Sequence, residues 1–169
     1  DALYKTGDGD FIRFFSFFGP AISPFPVTGM SSLRSVLPYF NKGQTILLIH
    51  NTYMPEEDRI FAADYAKKTG IQVVYCFCPN ANLYIENTLP PVKQFLAERR
   101  DIVLGTDSYS SNYQLSIAEE IRTLRKHFPE IPLETMLQWA TLNGAKALKR
   151  DDQLGSFSKG KKPGIVSLD

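Results

Sequence analysis

Along the 169 residues, hydrophobic positions gather into three short, nearly continuous runs: Thr45 to Ile49 (TILLI), Ile71 to Phe77 (IQVVYCF) and Asp101 to Leu104 (DIVL). An unbroken apolar run of this length suits a strand covered on both faces, as in a parallel sheet, whereas a half-solvated strand alternates. Each run is followed by a segment of helical spacing. Pro55 opens the first, with Glu56, Glu57 and Asp58 against the positive end of the helix dipole, and Lys67, Lys68 and Gly70 close it. Its apolar positions are Ile60, Phe61, Ala63 and Tyr65. The second helix is predicted from about Pro90 to Arg100, with Val92, Phe95 and Leu96 inward. The third runs from about Leu115 to Phe128 on a stripe of Ile117, Ile121 and Leu124. Pro129 and Pro132 interrupt the chain, and a fourth helix covers about Leu133 to Leu148. The strand starts lie 26 and 30 residues apart, so the middle of the chain reads β-α-β-α-β-α-α, a parallel α/β pattern.

Residues 1–40 fit this pattern less well. Phe11, Phe14, Phe15, Phe17 and Phe18 suggest a short helix packed on an apolar surface; Gly19-Pro20 and Pro24 to Pro26 suggest a loop; Ser31 or Ser32 caps a helix reaching about Tyr39. Three strands are few for such a sheet, which needs roughly five, or closure into a barrel, to leave no long unpaired edge. A complete (β/α)8 barrel takes roughly 250 residues. The chain opens on Asp1 instead of Met and closes on Ile165 to Asp169, which reads as a strand; a carboxyl-terminal part of something larger is expected. The expected organisation is 1–40 as a loop and helix, 41–150 as barrel-like β/α units with an extra helix, and 151–169 as a returning segment.

Composition narrows the function classes. Nineteen Lys and Arg face eighteen Asp and Glu, and no basic run exceeds Lys159 to Lys162, so no nucleic-acid partner is expected. No apolar stretch approaches the roughly 18–20 residues of a membrane helix, so no membrane partner is expected either. Cys76 and Cys78 fall on one face of a strand at a spacing poorly suited to a disulfide, and read as reduced, buried thiols of a cytoplasmic protein.

In parallel α/β folds the reactive side chains stand at the carboxyl ends of strands. Three such ends carry candidates: His50-Asn51, Cys78 to Asn82, and Gly105 to Ser108 followed by Ser111-Asn112. A neutral His binds metal or shuttles protons, and an Asp ligates a cation or acts as a general base. The plainer alternatives are a hydrogen-bonded structural His and an ordinary capping turn at Asp107-Ser108. His127, in the last turn before Pro129, fits a contact with the helix carboxyl end.

These residues carry a resemblance. His50-Asn51, Cys78-Pro79-Asn80-Ala81-Asn82-Leu83-Tyr84-Ile85, Leu104-Gly105-Thr106-Asp107-Ser108 with Ser111-Asn112, Ala140 to Leu148, and Leu154-Gly155-Ser156-Phe157 onward resemble the carboxyl-terminal part of an amidohydrolase. The branch is that of the chlorohydrolases and deaminases, which includes guanine deaminase and S-adenosylhomocysteine deaminase. The resemblance implies strands six to eight of a TIM (β/α)8 barrel and the start of a strand returning to a small β domain. It also implies hydrolysis of a C–N or C–Cl bond in a small nitrogenous ring compound, with water activated by a divalent metal, zinc or alternatively iron. Asp107 stands where the family has a metal-binding Asp that also handles the proton of the attacking water. His50 stands where a His contacts metal or substrate; Asn82, placed by the resemblance in the loop after the seventh strand, is expected with Ser108 and Asn51 to bind substrate or support the site. The family's His-x-His and its fifth-strand His have no counterpart among the two histidines of this sequence. The chain alone is therefore expected to hold metal weakly and not to turn over.

Two other readings remain open at this stage. One is a small flavodoxin-like ligand-binding domain, which would need two more strands. The other is a non-catalytic scaffold. Open sheet edges make association of copies an expectation of the half-barrel and scaffold readings, whereas a well-behaved monomer would favour the flavodoxin-like one.

Overall fold

The computed structural model describes residues 1–18 and 26–166. Apart from Pro26, the loop expected over Gly19-Pro20 and Pro24 to Pro26 lies outside the described residues, as do Ser167, Leu168 and Asp169. Two compact units emerge, one of residues 1–44 and 55–71 and the other of 45–54 and 72–166.

The first unit is helical: α1 Ala2–Thr6, α2 Asp10–Phe17, α3 Ser32–Val36, a 3-10 turn Leu37–Tyr39, and α4 Glu56–Thr69. Ser31 caps α3 by accepting the backbone N–H of Arg34, as its hydroxyl chemistry predicts. Helix α4 starts after Pro55 and ends at Gly70, whose φ of 77° is the left-handed conformation that closes a helix cheaply only at glycine. Its buried face differs from the expected apolar one. Asp58, Arg59 and Ala62 are buried, while Ile60 faces solvent. The carboxylate of Asp58 takes the guanidinium of Arg34 at 2.7 Å, and Arg34 also lies over the Phe61 ring. The phenylalanines of α2 and Phe18 form a helix-borne cluster as expected, but among the described residues no apolar surface covers it. They stack edge-on among themselves and stay 38–85% exposed.

The second unit is built on β1 Thr45–Ile49, β2 Gln72–Phe77 and β3 Ile102–Leu104, all parallel, in the order β1-β2-β3. The register pairs Ile49 with Cys76 and Phe77 with Leu104. This sequential order has no reversal among the described residues, so the sheet lacks the switch point at which a flavodoxin-like crevice forms. On one face of the central strand, Val74, Cys76 and Cys78 pack with Val103, Ala81 and Ala147. On the other, Tyr75 and Phe77 meet the ring of Phe95. Strand β1 is the exception to the expected double burial: at the sheet edge, Leu47 and Ile49 remain exposed.

The helices of this unit are α5 Pro79–Glu86, α6 Val92–Ala97, α7 Ile117–His127, α8 Leu133–Ala140 and α9 Leu142–Ala147. Helix α5 is an addition to the expected pattern. It occupies what was expected as the loop after the second strand, and Pro79 at its first helical position loses no hydrogen bond. The single fourth helix expected over 133–148 is instead two. Thr141 breaks it, its hydroxyl bonding the Leu137 carbonyl four residues back. In α9, Asn143 donates to the carbonyl of Ile102 and so satisfies a backbone group of the edge strand. Gly155 then presses on α9, where a Cβ would lie 2.7 Å from that of Ala145. Ile165 and Val166, expected to begin a returning strand, are exposed and in no regular element.

Candidate functional site

The sheet ladder continues one step past two strands. The N–H of His50 donates to Cys76 and that of Gly105 to Phe77, each at 2.9 Å. The chain then turns sharply through the left-handed region, at His50 (φ 69°) and Asn51 (φ 59°) after β1 and at Asp107 (φ 57°) after β3. Left-handed residues other than glycine cost roughly 1–2 kcal/mol each and gather where a site dictates side-chain direction.

Those turns bring the first two candidates together. His50 Nε2 lies 3.6 Å from Asp107 Oδ2, with both side chains about one-third exposed. This is too long for a hydrogen bond. It is close to the roughly 3.3–3.5 Å that separates two ligands bonded at about 2.0–2.2 Å to one tetrahedral ion. The same Asp107 oxygen accepts the hydroxyl of Ser111 at 2.6 Å. Among the described residues, His50 Nδ1 is buried with no hydrogen-bond partner. The two side chains thus fit two places in the ligand set of a divalent metal. Among the described residues no cluster of three His, Cys, Asp or Glu could hold an ion, whereas catalytic zinc usually takes three protein ligands.

The other predicted residues are close by in chain terms but differ in what they touch. Asn51 turns its amide back onto the Leu48 carbonyl, at 2.7 Å, and tightens its own turn. Ser108 shares hydrogen bonds with Ser110 and Ser111 in the loop after β3. Asn82 lies not in a loop but in α5, almost wholly buried, because the Pro79 start winds that segment into helix. Its amide donates to the hydroxyl of Thr52 at 2.5 Å, tying α5 to the turn after His50, and its Oδ1 has no partner among the described residues. His127 bonds the Thr123 carbonyl through Nδ1 at the end of α7.

Sequence reasoning missed Glu120. It is fully buried, accepting the backbone N–H of Asn80 and the amide of Asn112, each at 2.8 Å. Burial holds its carboxyl above the ordinary range, opposed by those two hydrogen bonds. The signal was present: Glu120 falls on the Ile117, Ile121, Leu124 stripe, where an acidic residue has no reason to be unless it is partnered. Below the site, the hydrogen bond shared with Cys76, and then burial, push the Cys78 thiol up. Both cysteines are free and buried.

The amidohydrolase family matches residues 26–169. The 5-methylthioadenosine/S-adenosylhomocysteine deaminase of Moorella thermoacetica is 33% identical over 131 residues, which is 73% of this chain and 29% of that protein. The chain spans less than a third of the length of the curated relatives it matches. Among solved structures, Helicobacter pylori aminofutalosine deaminase superposes with a TM-score of 0.71 at 20% identity, over 99% of this chain and 42% of that one. A zinc-bound adenosine deaminase from Xanthomonas campestris gives 0.59 at 24% identity, over 95% and 32%. At such identities these two likenesses concern the fold alone. The family match covers most of the sequence: this chain belongs to the amidohydrolase family.

Proposed function

We propose that this amidohydrolase chain forms the last three β/α units of a barrel, with β1, β2 and β3 as strands six, seven and eight, in an enzyme that hydrolyses a C–N bond. The observation that carries this reading is the approach of His50 Nε2 to within 3.6 Å of Asp107 Oδ2 at the carboxyl ends of two parallel strands. Those two atoms would hold part of a divalent-metal site, with zinc or alternatively iron, and further ligands would come from elsewhere in the enzyme. Bound there, such a cation supplies Lewis acidity. The chain's own residues do the rest. Asp107, its Oδ2 held by the Ser111 hydroxyl, takes the proton of the attacking water and passes it to the departing nitrogen. Water oxygen replaces nitrogen on carbon, and ammonia leaves.

The substrate class is a small nitrogenous ring compound, as the names of the deaminase relatives suggest. Exposed Tyr84 and Tyr113, edge to face at 5.2 Å, stand on the connections that carry Asn82 and Asp107 and offer ring faces to it. Chlorohydrolase chemistry, breaking C–Cl, is the variant of the same mechanism. Within the isolated chain, Asn82, Ser108 and Asn51 support geometry, metal is held weakly and turnover is absent. Open edges at β1 and β3 favour association of copies, and the unpaired thiols suit the reducing cytoplasm.

The test is ammonia release by the zinc-loaded full-length protein from 5-methylthioadenosine and S-adenosylhomocysteine. Turnover that Asp107→Asn abolishes, with the isolated chain of 169 residues inert, is the expected result. Turnover undiminished in Asp107→Asn, or a tight zinc site with deaminase activity in the isolated chain, would overturn the reading.

A further inference from the structure

Glu120 touches neither His50 nor Asp107, yet its two oxygens serve the connections after β2 and after β3. Oε2 accepts the N–H of Asn80, in the first turn of α5, where helix donors have no partner within the helix and where the cap residue Cys78 supplies none. Glu120 therefore caps, from another helix, the element that carries Asn82. Oε1 accepts from the amide of Asn112, which donates again to the carbonyl of Thr106 at 2.7 Å. Thr106 precedes Asp107, whose left-handed backbone needs support from outside its own turn. Thr123, one turn further along α7, repeats the link by donating its hydroxyl to Asn80 Oδ1 at 2.5 Å. An apolar side chain would fill the same place on the buried stripe without the cost of desolvating a carboxyl group. What an apolar side chain cannot do is accept two hydrogen bonds from two different connections.

We propose that Glu120 is a positioning residue, a buried brace that holds Asp107, through Asn112 and Thr106, in register with the Asn82 helix. The proposal rests on the metal-binding reading of Asp107, and its test separates the two. Glu120→Gln keeps one acceptor; the backbone N–H of Asn80 can only donate and so keeps it, which releases the arm to Asn112. Asn112→Ala cuts the arm to Thr106 while leaving α5 capped. In the full-length protein, hydrogen exchange of segments 105–112 and 78–86 is compared without metal, and zinc affinity is measured by chelator competition. The expected result is faster exchange over 105–112 in both variants, with zinc affinity reduced roughly tenfold to a hundredfold, the usual effect of losing an outer-shell partner. Exchange accelerated only over 78–86 in Glu120→Gln would reduce Glu120 to a helix cap and overturn the proposal. So would unchanged zinc affinity in both variants when His50→Ala loses the metal. If His50→Ala also leaves zinc uptake unchanged, the metal reading falls; exchange over 105–112 then decides the brace, faster supporting it and unchanged refuting it. Should Glu120→Gln not fold, Asn112→Ala is judged by the same criteria.

Discussion

Gly105 joins β3 to the turn that carries Asp107, and its missing side chain is a packing requirement. A Cβ there would lie 3.0 Å from the Cys76 sulfur and 3.3 Å from that of Cys78, against about 3.5–4.0 Å for an unstrained contact. Neither sulfur can swing away freely. Both thiols are buried and packed among Val74, Ala81, Val103 and Ala147. Gly105→Ala must therefore push the central strand and the Asp107 turn apart, and overpacking of this kind costs about 1–3 kcal/mol. For a domain of this size that corresponds to a melting temperature lower by about 2–12 °C. Cys76→Ala removes the nearer sulfur, so the double variant should be more stable than the sum of the single effects by about 1 kcal/mol or more. Urea denaturation followed by circular dichroism and tryptophan fluorescence measures all three variants. A Gly105→Ala protein within about 0.5 kcal/mol of the parent, or a strictly additive double variant, would refute the reasoning.

Three further outcomes are expected. His50→Gly should stabilise the fold by about 1 kcal/mol, because it relieves a φ of 69° and removes the unpartnered buried Nδ1; a loss of more than about 1 kcal/mol in thermal melts would contradict this. Arg34→Ala strands the buried carboxylate of Asp58. About 2 kcal/mol of destabilisation is expected, below the full cost of a deeply buried pair because Arg34 is partly in water, and an equilibrium unfolding curve unchanged from the parent would rule it out. Glu120, with its folded-state pKa raised above 4.5, binds its proton more tightly folded than unfolded. Its contribution is then most favourable below the unfolded value and declines as pH rises through the folded one, so the stability gap between parent and Glu120→Gln should vary with pH across that window; a pH-independent gap would refute it.

The strands were legible because unbroken apolar runs leave few alternatives, and α4 because Pro55 and Gly70 punctuate it. Helix α5 was hidden by residues that serve both turns and helix starts, since Pro79-Asn80-Ala81-Asn82 carries no amphipathic stripe. The split at Thr141 depends on a hydroxyl taking a backbone carbonyl, a choice that spacing does not reveal. That His50 and Asp107 would lie near one another was legible from topology, because strand ends converge in a parallel sheet, while the roles proposed for them came from the family resemblance. That Asn51 would fold back on Leu48, and that Glu120 would link two connections from the buried stripe, depended on partners 3 and 40 residues away respectively, beyond what a linear pattern encodes. The exposed phenylalanines show the converse limit, for apolar character predicts what a side chain avoids and not whether a surface is there to receive it.

The most direct test of the proposed metal site is an anomalous-scattering crystal structure of the zinc-loaded full-length protein. An ion bonded at about 2.0–2.2 Å to both His50 Nε2 and Asp107 Oδ2 is the predicted result. Zinc bound elsewhere, with the His50 to Asp107 gap empty, would contradict it.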